Sequence, residues 1–196
     1  MEWSGAGTVA ATPPKLTYRD FLRFPDDGLR HELIGGVHYV TPSPAVVHQR
    51  LVGRLYLALS AALSESGLGE VFLAPLDVVM SKHDVVEPDV LVVLDEQRDM
   101  VSKAHVRGAP AIVIEVLSPG TRRRDDGVKR QLYERTGVRE YWMVDPDRAR
   151  VVVCRRDANG SFAIRETFTH ADTAPLRSAL VPALAIDLAA LFSGRG

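Results

Sequence analysis

Cysteine is nearly absent from this chain. Its single thiol, Cys154, sits in the apolar run Val151-Val152-Val153-Cys154, so no disulfide framework can form within one chain, and the position favours a small buried residue over a redox or nucleophilic one. Zinc-type spacing is missing as well, because the six histidines are scattered without paired ligands at the usual intervals. No apolar run approaches the roughly 20 residues that a membrane-spanning helix needs, and the net charge of −1 is close to balance. Residues 1–15, rich in Ala, Gly, Thr and Pro, lack the basic start and apolar stretch of a secretory signal. They read as a flexible tail ahead of one domain over 16–196, and the expectation is a cytoplasmic protein without a membrane partner.

What the chain has is enough apolar content, 46% of 196 residues, for one full core. Thr17-Tyr18-Arg19-Asp20 predicts a short helix opened by a capping box and ended before Pro25. Glu32-Leu33-Ile34 and Val37 to Val40 flank Gly35-Gly36, a two-residue hairpin signal. Ser43-Pro44 reads as a helix start, and Val47, Leu51, Leu55, Leu59 and Leu63 recur every four residues behind it, predicting a long core helix to about Ser66. Strand-like runs come next at Val71 to Ala74, Leu76 to Met80, Val90 to Leu94 and Ala111 to Leu117. A polar helix over Asp125 to Thr136 precedes strands at Glu140 to Val144, Val151 to Arg155 and Phe162 to Phe168, and the terminal stretch Val181 to Phe192 is predicted to fold back as a short helix. The order predicts an α/β fold of mixed α+β type: a mixed sheet, a long packed helix and extra β-hairpins.

Two strings carry the chemistry, Glu87-Pro88-Asp89-Val90 and Ile112-Val113-Ile114-Glu115-Val116-Leu117. Each plants a lone carboxylate in an apolar strand, where an unpartnered charge is costly, so a cation between Asp89 and Glu115 is the natural compensation. Oxygen-only ligands favour Mg²⁺ or Mn²⁺. A lysine beside such a metal stabilises the charge that develops on a phosphorus under attack by water. Lys129 fills that role on spacing, one turn after Asp125 and one turn before Tyr133 on a shared helix face. Residues 119–139 hold seven cations, among them Arg122, Arg123, Arg124 and Arg130, against three carboxylates, a local excess of +4. That run suits an anion such as a nucleic-acid backbone.

Secondary candidates are Glu32, either a further metal carboxylate or an exposed hairpin acid; His48, either a phosphate contact or a structural histidine; and Asp77, which interrupts a strand much as Asp89 does. Tyr141 and Trp142 offer base stacking, although strand alternation sends them to opposite faces and favours core packing for at least one.

Pro88-Asp89, Glu115-Val116-Leu117-Ser118-Pro119, Thr121 to Asp125, Lys129, Gly137 to Trp142 and Asp145-Pro146 together resemble the Uma-two family of restriction endonucleases, of the PD-(D/E)xK nuclease superfamily. Glu32 to Gly36, His48, Leu76-Asp77-Val78 and Pro182-Ala183-Leu184 extend the likeness over most of the chain. The resemblance implies a restriction-endonuclease-like core, divalent-metal-dependent DNA cleavage and a homodimer, with Asp89 and Glu115 as metal ligands. Leu117 occupies the superfamily's usual lysine position, so the resemblance makes Lys129 a relocated catalytic lysine. Two rival readings are a non-catalytic nuclease-fold module that binds nucleic acid or protein, and a metal-dependent hydrolase of small phosphorylated molecules.

Overall fold

The computed structural model describes residues 14–194; the first thirteen positions of the expected tail lie outside them. In chain order the elements are α1 (Tyr18–Phe21), β1 (Arg30–Ile34), β2 (Val37–Thr41), α2 (Val46–Ser66), β3 (Gly69–Leu73), β4 (Val78–Ser81), β5 (Asp84–Val86), β6 (Val90–Leu94), β7 (Val106–Arg107) and β8 (Ile112–Val116). Then come α3 (Arg122–Arg124), α4 (Arg130–Thr136), β9 (Glu140–Asp145), β10 (Arg150–Arg155), β11 (Ile164–Thr169) and α5 (Leu188–Leu191).

These strands form two sheets: six strands in the order β11-β10-β9-β8-β6-β3 and five in the order β2-β1-β5-β4-β7. The larger sheet is mixed, since β8 runs parallel to β9 but antiparallel to β6. Period-two alternation gives it two buried faces. Ile112, Ile114, Val116, Trp142 and Val144 pack against Leu51, Leu55, Leu59 and Leu63 of α2. The opposite face, with Val113, Leu117, Tyr141 and Met143, packs against Leu132 and Tyr133 of α4 and against Ile34, Val78 and Val86 of the smaller sheet. A third, smaller cluster of Phe21, Leu33, Val79 and Val85 lies on the far side of the smaller sheet, beneath α1.

Local chemistry explains most boundaries. Gly35 and Gly36 take φ of 60° and 82°, the left-handed pair that a tight two-residue hairpin requires. Asp20 accepts hydrogen bonds from both the backbone N–H and the hydroxyl of Thr17, fixing the start of α1. Gly67, at φ 64°, closes α2 with its N–H on the Leu63 carbonyl.

Three expectations need correction. Helix α2 starts at Val46, not at Ser43-Pro44, because the chain stays extended through Ala45 at ψ 161°. The helix expected from Asp125 begins earlier, at Arg122, and runs through a π-helical turn over Asp125–Lys129 before α4. The C-terminal helix shrinks to Leu188–Leu191, since Ile186 is held extended by its bridge to Leu176 and Asp187 caps only the turn after it, accepting from the Ala189 and Ala190 N–H groups.

Candidate active site

The register of β6 on β8 pairs Val90 with Ile114, and one step further along it sets Asp89 opposite Glu115. Both therefore sit on the sheet face that meets α4 and the smaller sheet, and both line one cavity of about 290 Å³. Its mouth is formed by the chain from Thr41 to Ala45, the Ser118 to Thr121 turn, and Pro146-Asp147. Lys129, Arg124, Arg30 and His48 line the same cavity.

Each carboxylate is held differently. Asp89 accepts from Arg30 Nη1 at 2.7 Å, from His48 Nε2 at 3.0 Å and from the Val116 N–H at 2.8 Å. Burial works to raise its pKa, but the hydrogen bonds and charges of His48 and Arg30 outweigh it and hold the carboxyl down to about 2. Glu115 accepts from Lys129 Nζ at 2.8 Å and Tyr133 Oη at 2.6 Å, both on Oε1. Here burial dominates, the charges of Asp89, Asp125 and Glu32 add to it, and Lys129 only partly opposes, so the group is pushed up to about 8. Lys129 itself is held above its ordinary value despite burial, because Glu115, Glu32 and Asp125 surround it.

The spacing argument for Lys129 has a geometric counterpart in the π-helical turn, a feature that often marks functional sites. It turns Asp125 and Lys129 inward together, each about 2% exposed. Glu32 is not an exposed hairpin acid: it is fully buried, with Oε1 2.7 Å from Lys129 Nζ and Oε2 3.6 Å from Arg124 Nη2. Alternation along β1 explains this, since Leu33 faces the outer cluster and Glu32 with Ile34 faces the sheet beneath.

The donor set suits a hard divalent ion. A carboxylate offers about four lone-pair sites. Asp89 has three of them engaged, and both bonds to Glu115 fall on one oxygen. An ion of the Mg²⁺ type binds through one or two carboxylates and keeps several waters; among the described residues no group of three or more His, Cys, Asp or Glu is gathered as a ready cage. Glu32 Oε2, Asp125 Oδ1 and His48 Nδ1 are buried without a hydrogen-bond partner, so polar capacity at the site exceeds what the protein itself satisfies.

The sequence profile of Uma2, described as "Putative restriction endonuclease", matches residues 18–189. The chain belongs to the Uma2 family. The fold agrees with the crystal structure of "a putative nuclease belonging to DUF820" from Anabaena variabilis ATCC 29413, at a TM-score of 0.76 and 21% identity over 91% of this chain and 98% of that one. No curated protein matches.

Several expected residues lie elsewhere in this Uma2 protein. Asp77 does not line the cavity; it is half-buried near His105, and burial raises its pKa. Tyr141 and Trp142 are both fully buried, Tyr141 Oη donating to the Asp125 carbonyl and Trp142 Nε1 to Glu140, so neither is open to a base. The arginine run is helical, and its members therefore diverge. Arg124 turns into the site, donating to Thr41 Oγ1 at 2.6 Å and lying 5.6 Å from the Tyr39 ring centroid. Arg123 is exposed, Arg122 is bound to Asp145 and Asp147, and Arg130 pairs along its own helix with Asp126 and Glu134. Arg30 and Tyr133 complete the site, although sequence reasoning does not single them out. Arg30 stands at a strand start with no local pattern, whereas Tyr133 carries a usable signal in its spacing from Lys129.

Proposed function

We propose that this Uma2 protein is a Mg²⁺- or Mn²⁺-dependent endonuclease that hydrolyses DNA phosphodiester bonds. The observation that carries this reading is the convergence of Asp89, Glu115 and Lys129 on one accessible cavity. Asp89 and Glu115 would hold the ion, which would supply Lewis-acid stabilisation of developing charge and lower the pKa of water enough for hydroxide to be available as the nucleophile at neutral pH. Arg30 and His48 keep Asp89 ionised and aimed. Lys129 stabilises charge on the phosphate oxygens, and Arg124 at the cavity wall orients the strand. A homodimer belongs to the same reading on the family resemblance alone.

One observation favours a second reading, a non-catalytic nucleic-acid-binding module: Asp89 and Glu115 already have cationic partners within the protein. Incubation of supercoiled plasmid with Mg²⁺ or Mn²⁺ decides between them. Wild type is expected to nick or linearise it, and Glu115→Gln to be slower by about 100-fold or more. Wild type and variant that both bind plasmid equally and leave it intact in either metal would establish the module instead.

A further inference from the structure

A second cavity, of about 310 Å³, lies beside the first and shares Leu117 with it. Four arginines line it: Arg122, Arg148, Arg150 and Arg165. At its base is Asp145, whose side chain is 1% exposed. Asp145 Oδ1 accepts from Arg122 Nη2 at 2.9 Å and the Arg148 N–H at 3.2 Å, and Oδ2 from Arg122 Nη1 and from Arg148 Nη1 at 3.2 Å. Those four bonds fill the roughly four acceptor sites of a carboxylate.

Arg150 is the consequence. Its Nε lies 3.5 Å from Asp145 Oδ2 yet is buried without a hydrogen-bond partner, because the carboxylate it approaches is saturated. Arg165 enters from the neighbouring β11, tied to Asp126 at 3.0 Å. Four guanidiniums thus face a cavity whose lining carboxylates are Asp145 and Asp126, and each guanidinium carries about five N–H donors. The chamber has more donors than acceptors and an excess of positive charge, so it calls for an anion supplied from outside. Guanidinium forks match the oxygens of phosphate, which they bind in pairs.

We infer that Arg122, Arg148, Arg150 and Arg165 form a phosphate-binding subsite that grips a phosphodiester of the substrate strand away from the one being cleaved. The carrier of the phosphate is read from the neighbouring cavity and so rests on the nuclease proposal; the anion site itself rests on the arginines. Arg122 links the two chambers, since it also bonds Asp147, at 3.1 Å, on the wall of the first.

The test uses the full chain in a chelator, so that no cleavage intervenes. The double variant Arg148→Gln/Arg165→Gln removes the two more exposed arginines and leaves Asp145 its bonds to Arg122. A control, Arg23→Gln/Arg98→Gln, removes equal charge at remote side chains that are 72% and 76% exposed. Two measurements are made: thermal stabilisation by inorganic phosphate, and the salt dependence of binding to a short DNA duplex. Wild type and control are expected to gain stability with phosphate, and the pocket variant to lose that gain. The log-log salt slope should fall in magnitude by about 0.9 in the pocket variant relative to the control, the value for one phosphate contact. Loss of the phosphate effect with an unchanged slope would assign the pocket to a free phosphorylated molecule and overturn the strand assignment. No difference in either measurement would overturn the subsite altogether. A wild type that cuts no DNA yet shows both effects would sink the nuclease proposal and leave the subsite standing.

Discussion

Two ion-pair knots on either side of Leu117 are built in opposite senses. In one, a single buried cation, Lys129, is surrounded by Glu32 at 2.7 Å, Glu115 at 2.8 Å and Asp125 at 4.0 Å, all at most 4% exposed. In the other, a single buried anion, Asp145, is surrounded by Arg122, Arg148 and Arg150, which are 25%, 56% and 38% exposed. The first has acid in excess, the second has cation in excess. The contrast follows from side-chain length. Carboxylates on short stems at strand positions stay where the backbone buries them, whereas arginines carry their charge outward on long stems and keep part of it in water. On the readings proposed above, a divalent cation relieves the first imbalance and a phosphate the second.

The largest effect is expected at the buried cation. Lys129→Ala leaves Glu32, Glu115 and Asp125 without their shared partner, and breaking such a buried pair costs about 3–5 kcal/mol. Urea denaturation at pH 7 checks this. Single-turnover cleavage, measured where the variant is still folded, should fall by about 100-fold or more. Stability equal to wild type would mean that protonation, not Lys129, keeps the acids tolerable, and the comparison would break at its first member.

Asp145→Asn should cost less, about 1.5–3 kcal/mol, because the arginines it releases reach solvent and are not left buried without a counter-charge. Its pH dependence has a definite sign. Burial works to raise the Asp145 pKa, but hydrogen bonds from Arg122 and Arg148 outweigh it and hold the group at about 2, against 3.8 unperturbed. A depressed carboxyl stabilises fully above its unfolded pKa and loses that contribution as pH falls. The gap between wild type and Asp145→Asn should therefore narrow between about pH 4 and pH 2. A constant gap across that window would show that shape, not charge, makes Asp145 matter.

The two knots also differ in how far they can be read from sequence. Asp89 and Glu115 stand out because a charge interrupts an apolar strand, and Lys129 because four-residue spacing aligns it with Asp125 and Tyr133. Periodicity reports which face a residue takes. It does not report what is stacked upon that face, so Glu32 remains ambiguous until the smaller sheet covers it, and Arg30 carries no local signal. The Asp145 knot is less legible still. Asp145-Pro146-Asp147 looks like a turn, and Arg122 and Arg165 reach the chamber from separate elements that only the folded sheet brings together. Strand β5 gives no sequence signal because three residues, Asp84–Val86, are too few to show alternation.

The smallest expected effect concerns Glu87, at the rim of the acid-rich knot, with Oε2 4.0 Å from Arg30 Nε. Burial raises its pKa to about 7 from 4.5; Arg30 opposes, while Asp77 and Glu32 reinforce the rise. A carboxyl whose folded pKa lies above its unfolded one binds more protons when folded across the window between them. Stability therefore declines as pH rises from about 4.5 to 7, the reverse of the trend at Asp145, and the penalty is complete above pH 7. Glu87→Gln removes the ionisation while keeping the shape. Linkage alone would give about 2.5 kcal/mol, and solvent screening at the partly open rim cuts this, so its stability relative to wild type should improve by about 1 kcal/mol between pH 5 and pH 8, a change of about 2–4 °C in Tm for a chain of this size. If the variant instead lost ground as pH rose, the attraction between Glu87 and Arg30 would outweigh burial, and Glu87 would belong with the Arg30–Asp89 pair rather than with the acid-rich knot.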